Sequence, residues 1–294
     1  MTEETTSIVD VTSDIFTIIT WNIASLRAAW KKGFKDFVKL HNPDILCIQE
    51  TKMYNGCKPP ISDFVIEGYH GYFSHAAKKG YSGTAIYTKI KPKSINKTPG
   101  ITDTNGRCIT AEFNNFGLLN SYVPNAGEGT LKNLDYKLIN FLPEYKKSYT
   151  ETDDKLSRPL FLLGDLNICH KEIDIWDAKN KENIAGNTPG EREWLNTLFT
   201  DNNYYDIFRD LYPDKRQYSY FEYRRRARET GNGMRIDYFI AKREKIPKGM
   251  IVDCYIGSAN DISDHDPVFL TLNKSLAISS DDIVETDYAN ESLQ

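Results

Sequence analysis

Strand-like runs of β-branched and aromatic residues recur along this chain, and each is bounded by polar side chains. Phe16–Trp21 ends in Asn22, Asp44–Gln49 in Glu50, Leu118–Val123 in Pro124-Asn125, and Leu160–Gly164 in Asp165-Leu166-Asn167. Met234-Arg235-Ile236-Asp237 opens a further run, and Ser263-Asp264-His265-Asp266 precedes Pro267–Leu270. Apolar runs of this length suit buried strands. Carboxylates, amides and one histidine at the strand ends suit a site on the rim of a sheet. Such a set can hold a hard cation and activate water, as hydrolysis of a phosphodiester requires.

The same criteria predict strands at 16–23, 44–50, 82–89, 107–113, 117–123, 160–167, 217–222, 236–242, 250–256 and 267–273. Helical patterns fill about 25–41, 131–148 and, with a break, 190–211, and Pro43 and Pro189 sit where helix boundaries are expected. Many strands, few helices and little strict alternation imply an α+β fold, two packed sheets with helices outside. No Gly/Ser/Pro-rich linker interrupts the runs, so one domain is expected over residues 15–274.

The five cysteines form no CxxC or Cys/His pattern, which favours free thiols in a reducing compartment. No stretch approaches a membrane span, and the N-terminus has neither a secretory nor a transit pattern. Residues 1–14 and 275–294 hold acids and no base, so acidic, disordered ends are expected there. The net charge of −4 therefore conceals a positive balance in between, compatible with a polyanionic substrate.

Each polar cluster has an ordinary reading beside the chemical one. Asp165 and Asn167 can orient a water and a phosphate oxygen, or simply close a strand with an Asx-turn. His265, flanked by acids, becomes a better base and a better cation, with Asp237 able to orient it; alternatively it sits in a solvated acidic loop. Glu50 is a plausible Mg²⁺ ligand or a surface partner of Lys52. Tyr122 can offer its hydroxyl to a phosphate or merely end a strand. Lys78-Lys79-Gly80-Tyr81 and Arg224-Arg225-Arg226 lie beside aromatics, including Tyr220 and Phe221, an interleaving that suits nucleic acid as well as solvent. The clusters gain weight together, because their chemistry is mutually compatible.

In order, these segments resemble the exonuclease III family of abasic-site endonucleases, within the endonuclease/exonuclease/phosphatase superfamily. The resemblance runs from Thr20–Ile23 through Ile48–Lys52, Gly80–Gly83, Asn105–Arg107, Ser121–Gly127, Gly164–Asn167, His170–Asp174, Thr188–Arg192 and Arg235–Tyr238 to Ser263–His265. Tyr122-Val123-Pro124-Asn125-Ala126-Gly127 separates this branch from the lipid and inositol phosphatases of the superfamily. The resemblance implies a four-layer α/β sandwich and Mg²⁺-dependent cleavage of duplex DNA 5′ to an abasic site, with Mn²⁺ able to substitute. It further implies 3′-phosphodiesterase and 3′→5′ exonuclease work, no membrane partner, a monomer, and a nuclear or alternatively cytoplasmic or organellar location.

By the same resemblance Glu50 is a metal ligand, with Asn22 and Asp264 beside it and Asp165, Asn167 and His265 as further candidates. Asp165 aligns or deprotonates the attacking water, Asn167 and Tyr122 hold the phosphate, and His265, oriented by Asp237, stabilises charge. DNA contacts are expected at Arg27, Lys52, Lys79, Tyr81, Arg107, Asn125, Tyr220, Phe221, Arg224 and Met234, and His170 is a structural or strand-contacting candidate. The chain departs from the family at Ala24, where Asp or Asn is frequent, and at Glu128, where some relatives carry arginine. Tyr220, Met234 and Ile236 replace the usual sugar-pocket residues. A catalytically weakened DNA-binding relative and another phosphoesterase of the superfamily are the competing expectations.

Overall fold

The structure is a computed structural model and describes residues 14–279 and 282, apart from 98, 224, 225, 259 and 260. Its strands are β1 (Ile15–Asn22), β2 (Ile45–Gln49), β3 (His70–Ser74), β4 (Thr84–Thr88), β5 (Ser94–Asn96) and β6 (Cys108–Glu112), then β7 (Gly117–Tyr122), β8 (Leu160–Asp165), β9 (Tyr204–Asp206), β10 (Asp237–Lys242), β11 (Ile251–Ile256) and β12 (Val268–Asn273). They form two six-stranded sheets, ordered β11-β12-β1-β2-β4-β3 and β5-β6-β7-β8-β10-β9. Helices α1 (Leu26–Lys31) and α2 (Phe34–His41) cover the first sheet. Helices α3 (Leu142–Lys155) and α4 (Pro189–Asp201) cover the second. This is the expected four-layer sandwich of DNase I-like architecture.

The period-2 alternation of the strands explains the layers. In β1, Phe16 and Ile18 point between the sheets, while Ile19 and Trp21 point under α1 and α2. In β8, Phe161 and Leu163 point between the sheets, while Leu160 and Leu162 pack with Tyr145, Tyr149 and Leu195 of the outer helices. Both faces are buried, so the central strands are largely apolar. A polar bridge crosses between the sheets a residue behind Glu50: Gln49 Nε2 donates to Asn120 Oδ1 at 2.7 Å. Asn120 in turn donates to the carbonyls of Ile48 and Ala85.

Strand direction gathers the polar ends. β1 runs parallel to β2, and β7 parallel to β8, so Asn22, Gln49, Tyr122 and Asp165 leave at C-terminal ends. β12 is antiparallel to β1 and β10 to β8, which brings the start of each to the same rim. Tyr122, Asp165 and Asp237 are direct cross-strand neighbours.

Several expectations are corrected. Residues 217–222 form no strand; Tyr220 makes only isolated bridges, to Met234 and His265, because the segment crosses the rim instead of continuing a ladder. The helical pattern at 25–41 breaks at Gly33, whose φ of 99° suits glycine. The pattern at 131–148 holds a π-helix, Tyr136–Phe141, before α3. The break in 190–211 contains β9, after which α5 (Ile207–Leu211) resumes. β3 and β5 had no strand expectation. Beyond α6 (Ala227–Thr230), α7 (Lys274–Ala277) carries the packed chain past residue 274, with Ala277 in the core between the sheets. The rest of the expected acidic ends lies almost wholly outside the described residues, as does Arg224. Among the described residues no helix is long and apolar enough to cross a membrane.

Candidate active site

The rim is built on strained backbone. Ala24, Glu50, Lys52 and Asn167 all have φ between 52° and 55°, the left-handed region that non-glycine residues avoid. Gly164 explains why Asp165 follows a glycine: a Cβ there would collide with the Ser121 backbone of β7. Only glycine lets the two strands close and carry Asp165 inward.

Two carboxylates converge from the two sheets on one amide. Asn22 Nδ2 donates to Glu50 Oε1 at 3.0 Å and to Asp165 Oδ2 at 2.9 Å. The amide thus stands between two anionic groups, the position a cation would take, and the donors are hard oxygens suited to Mg²⁺. Lys52 Nζ lies 2.9 Å from Glu50 Oε2. Burial pushes Glu50 up, but Lys52, the Asn22 hydrogen bond and His265 outweigh it and hold the carboxyl below its ordinary range. Burial and then the charge of Asp237 push Asp165 up, against the pull of His265, Asn22 and Asn167.

Opposite this pair lies a histidine dyad. His265 Nδ1 is 2.9 Å from Asp237 Oδ2, and its Nε2 is 3.8 Å from Asp165 Oδ2. Burial alone would lower the imidazole pKa, but Asp237, then Asp165 and Asp264, raise it. Ser219 Oγ donates to Asp237 Oδ2 at 2.6 Å, and the Trp21 indole donates to the His265 carbonyl at 2.8 Å. Asp165, Asp237 and His265 place one ligand atom each within 4.8 Å of one another. An imidazolium has no lone pair for a metal, however, so the Glu50 side is the better cation site.

The remaining expected residues fall around this centre. Asn167 donates its side-chain amide to Asp165 and to the Val123 carbonyl, and accepts from Asn125 Nδ2 at 2.9 Å. The Tyr122 phenol lies near Glu50 and Asp165; burial first, then these two carboxylates, keep it protonated. Arg107 is buried, donates to Tyr81 Oη at 2.7 Å and to the Tyr122 carbonyl, and lies over both rings. Asp264 is half-buried beside the Ser263 hydroxyl. Tyr220 packs on the His265 ring at 4.9 Å between centroids and bridges to Met234, which sits against Ile236. Phe221 is held under Arg228 and against Tyr218. Lys79 lies over Tyr54, and Arg27 on α1 reaches the Lys58 carbonyl. His170 pairs with Asn196.

Sequence reasoning gave no role to Ser219, Lys137 or the Asp174–Arg235 pair. Lys137 did leave a signal: it shares an i, i+4 stripe with Phe141, Tyr145 and Tyr149, all buried. Ser219 left none beyond its place in an aromatic run.

Fold and site together define a phosphoesterase of the two-sheet sandwich class. Residues 19–265 match the Endonuclease/Exonuclease/phosphatase family. The chain is 40% identical over 261 residues to an exodeoxyribonuclease of Bacillus subtilis, covering 87% of this chain and 99% of that protein. It is 38% identical to the DNA repair nuclease APEX1 of Danio rerio, covering 87% and 81%. An AP endonuclease structure from Leishmania major superposes with a TM-score of 0.80 at 28% identity, covering 89% of each chain. The chain belongs to the Endonuclease/Exonuclease/phosphatase family and, within it, to the exonuclease III branch of abasic-site endonucleases.

Proposed function

We propose that this enzyme cuts duplex DNA on the 5′ side of an abasic site, using Asp165 as the base and His265 as the group that stabilises charge on the phosphate. The observation that carries this reading is the pairing across the cleft: Glu50 and Asp165 share the Asn22 amide on one side, and the Asp237–His265 dyad faces Asp165 at 3.8 Å on the other. Glu50, with Asn22 and Asp165 beside it and Asp264 as the outlying candidate, would hold Mg²⁺ or, in its place, Mn²⁺. The bound ion supplies Lewis-acid polarisation of a phosphate oxygen.

Asp165, raised in pKa and anchored by Asn22 and the Asn167 amide, accepts a proton from water. The water oxygen attacks phosphorus in line, the P–O3′ bond breaks, and O3′ leaves to take a proton from solvent. The products are a 3′-hydroxyl and a 5′-deoxyribose phosphate. His265, held through Nδ1 by Asp237, donates from Nε2 to a non-bridging oxygen. The protonated Tyr122 hydroxyl and the Asn167 amide position the phosphate.

Lys52, Lys79 and Tyr81 form a basic and aromatic flank suited to the strand backbone, and the buried Arg107 holds Tyr81 in place from behind. Tyr220, Met234 and Ile236 form an apolar cluster beside His265, suited to a sugar that has lost its base. Asn125, bonded to Asn167, acts by orienting that amide. We further infer a monomer working on nuclear DNA; size-exclusion chromatography and imaging of a tagged full-length chain test these two points.

The direct assay offers a duplex with one abasic analogue, an undamaged duplex and a phosphoinositide, each with Mg²⁺ or EDTA. One nick beside the analogue, abolished by EDTA, is expected. Binding without cleavage would favour the weakened DNA-binding relative, and phosphate release from the lipid would favour the phosphatase reading.

A further inference from the structure

Lys137 is completely buried, yet nothing in the reaction above uses it. Its Nζ donates to the backbone carbonyl of Asn167 at 2.7 Å and to Glu191 Oε1 at 2.6 Å. Glu191 is equally buried and uses its other oxygen to accept from the Gly186 and Thr188 amides and the Thr188 hydroxyl. A buried ion pair is retained at a desolvation cost, and replacement by apolar residues is often neutral or stabilising. The pair therefore calls for a local reason.

The local reason lies at Asn167. That residue is left-handed, with φ 52°, and its N–H donates to Asp165 Oδ1 at 2.8 Å. If its peptide turned, the side-chain bonds to Asp165, Val123 and Asn125 would all be lost. Lys137 is also the second residue of the π-helix, and the Leu142 N–H at its end donates to the Lys137 carbonyl. Such wide turns are rare and recur at functional sites.

We propose that Lys137 is a positioning residue for the cleavage reaction: its ammonium, anchored by Glu191, pins the Asn167 carbonyl and so fixes the turn that aims the Asn167 amide at Asp165. The inference rests on the function proposed above. It ties the helix after the Tyr122–Gly127 loop and the start of α4 to the geometry of the scissile phosphate.

Steady-state kinetics on the abasic duplex with Mg²⁺, for Lys137→Met, Lys137→Arg, Asn167→Ala and the Lys137→Met/Asn167→Ala double variant, test it. Lys137→Met should lower kcat about 100-fold with little change in KM, the scale of a misplaced catalytic group. Lys137→Arg should recover most of the loss. The double variant should be within about threefold of Asn167→Ala alone, because both act through one group. A folded Lys137→Met enzyme with wild-type kcat, or a double variant whose losses multiply, overturns the proposal.

If Lys137→Met does not fold, Glu191→Gln replaces it, with the same non-additivity expected and multiplying losses again decisive. Hydrogen exchange supplies a readout apart from activity. The Asn167 and Cys169 amides should exchange faster in the Lys137 or Glu191 variant, while those of β7 hold; unchanged exchange contradicts the proposal. A wild-type enzyme that does not nick abasic DNA would count against the function, and exchange would still decide the positioning role.

Discussion

His265 owes its protonation to Asp237, and the sign of the effect can be followed through pH. Its folded pKa lies above the ordinary histidine value, so its charge stabilises the fold fully below that value. The contribution is lost as pH rises through the folded pKa. Replacing Asp237 with Asn removes the main cause of the shift. The His265 imidazole should then titrate at lower pH by NMR, and the alkaline limb of kcat should move down with it. An unmoved limb would detach the dyad from the chemistry. The single losses from Asp237→Asn and His265→Ala should also fail to multiply in the double variant. Glu128 is a second residue-scale case. It is exposed, and its charge is near enough to Tyr220 to help raise that phenol, after burial and Asp264. Glu128→Arg should slow release of nicked DNA and steepen the salt dependence of binding by roughly one phosphate contact. Equal off-rates at two salt concentrations would make it an ordinary surface residue.

At the scale of elements, β10 carries Asp237 and is anchored just before its first residue. Arg235 Nε and Nη2 donate to the Asp174 oxygens at 2.8 and 3.0 Å, and Nη2 also reaches Asp206 at 2.6 Å. Burial pushes Asp174 up, but Arg235 and Arg209 outweigh it and hold the carboxyl well below its usual range. The stabilisation is therefore present above the unfolded carboxylate pKa and is lost as pH falls through the folded value. Asp174→Asn should cost about 3–5 kcal/mol in urea unfolding at neutral pH, the cost of breaking a buried pair. The difference from wild type should shrink in acid; a constant difference would place the cost elsewhere. Legibility at this scale followed burial. β1, β2, β7 and β8 are buried on both faces and so appear in the sequence as mostly apolar or β-branched runs, interrupted by few polar residues such as Asn120 and Ser121. β9 spans only Tyr204–Asp206 inside a helical pattern, and the residues 217–222 have strand composition but bond to the rim instead of to a ladder.

For the molecule as a whole, the site exists because two sheets present their strand ends to one cleft. Glu50 and Asn22 come from one sheet, and Tyr122, Asp165 and Asp237 from the other. The Gln49–Asn120 bond fixes their relative position a residue behind Glu50. Residues that end strands were legible because a polar side chain after an apolar run is a visible break. Lys137 shows only as a member of a buried i, i+4 stripe, and its role, like those of Ser219 and Arg235, depends on contacts between distant segments that spacing does not encode. The measurement that bears most directly on the central claim is single-turnover cleavage of a duplex with one abasic analogue by wild type and Asp165→Ala, with Mg²⁺ and with EDTA. Wild type should give one nick with a 3′-hydroxyl, abolished by EDTA, and Asp165→Ala should be at least ~100-fold slower, as for the loss of one preorganised group. Cleavage by Asp165→Ala at the wild-type rate would contradict the account.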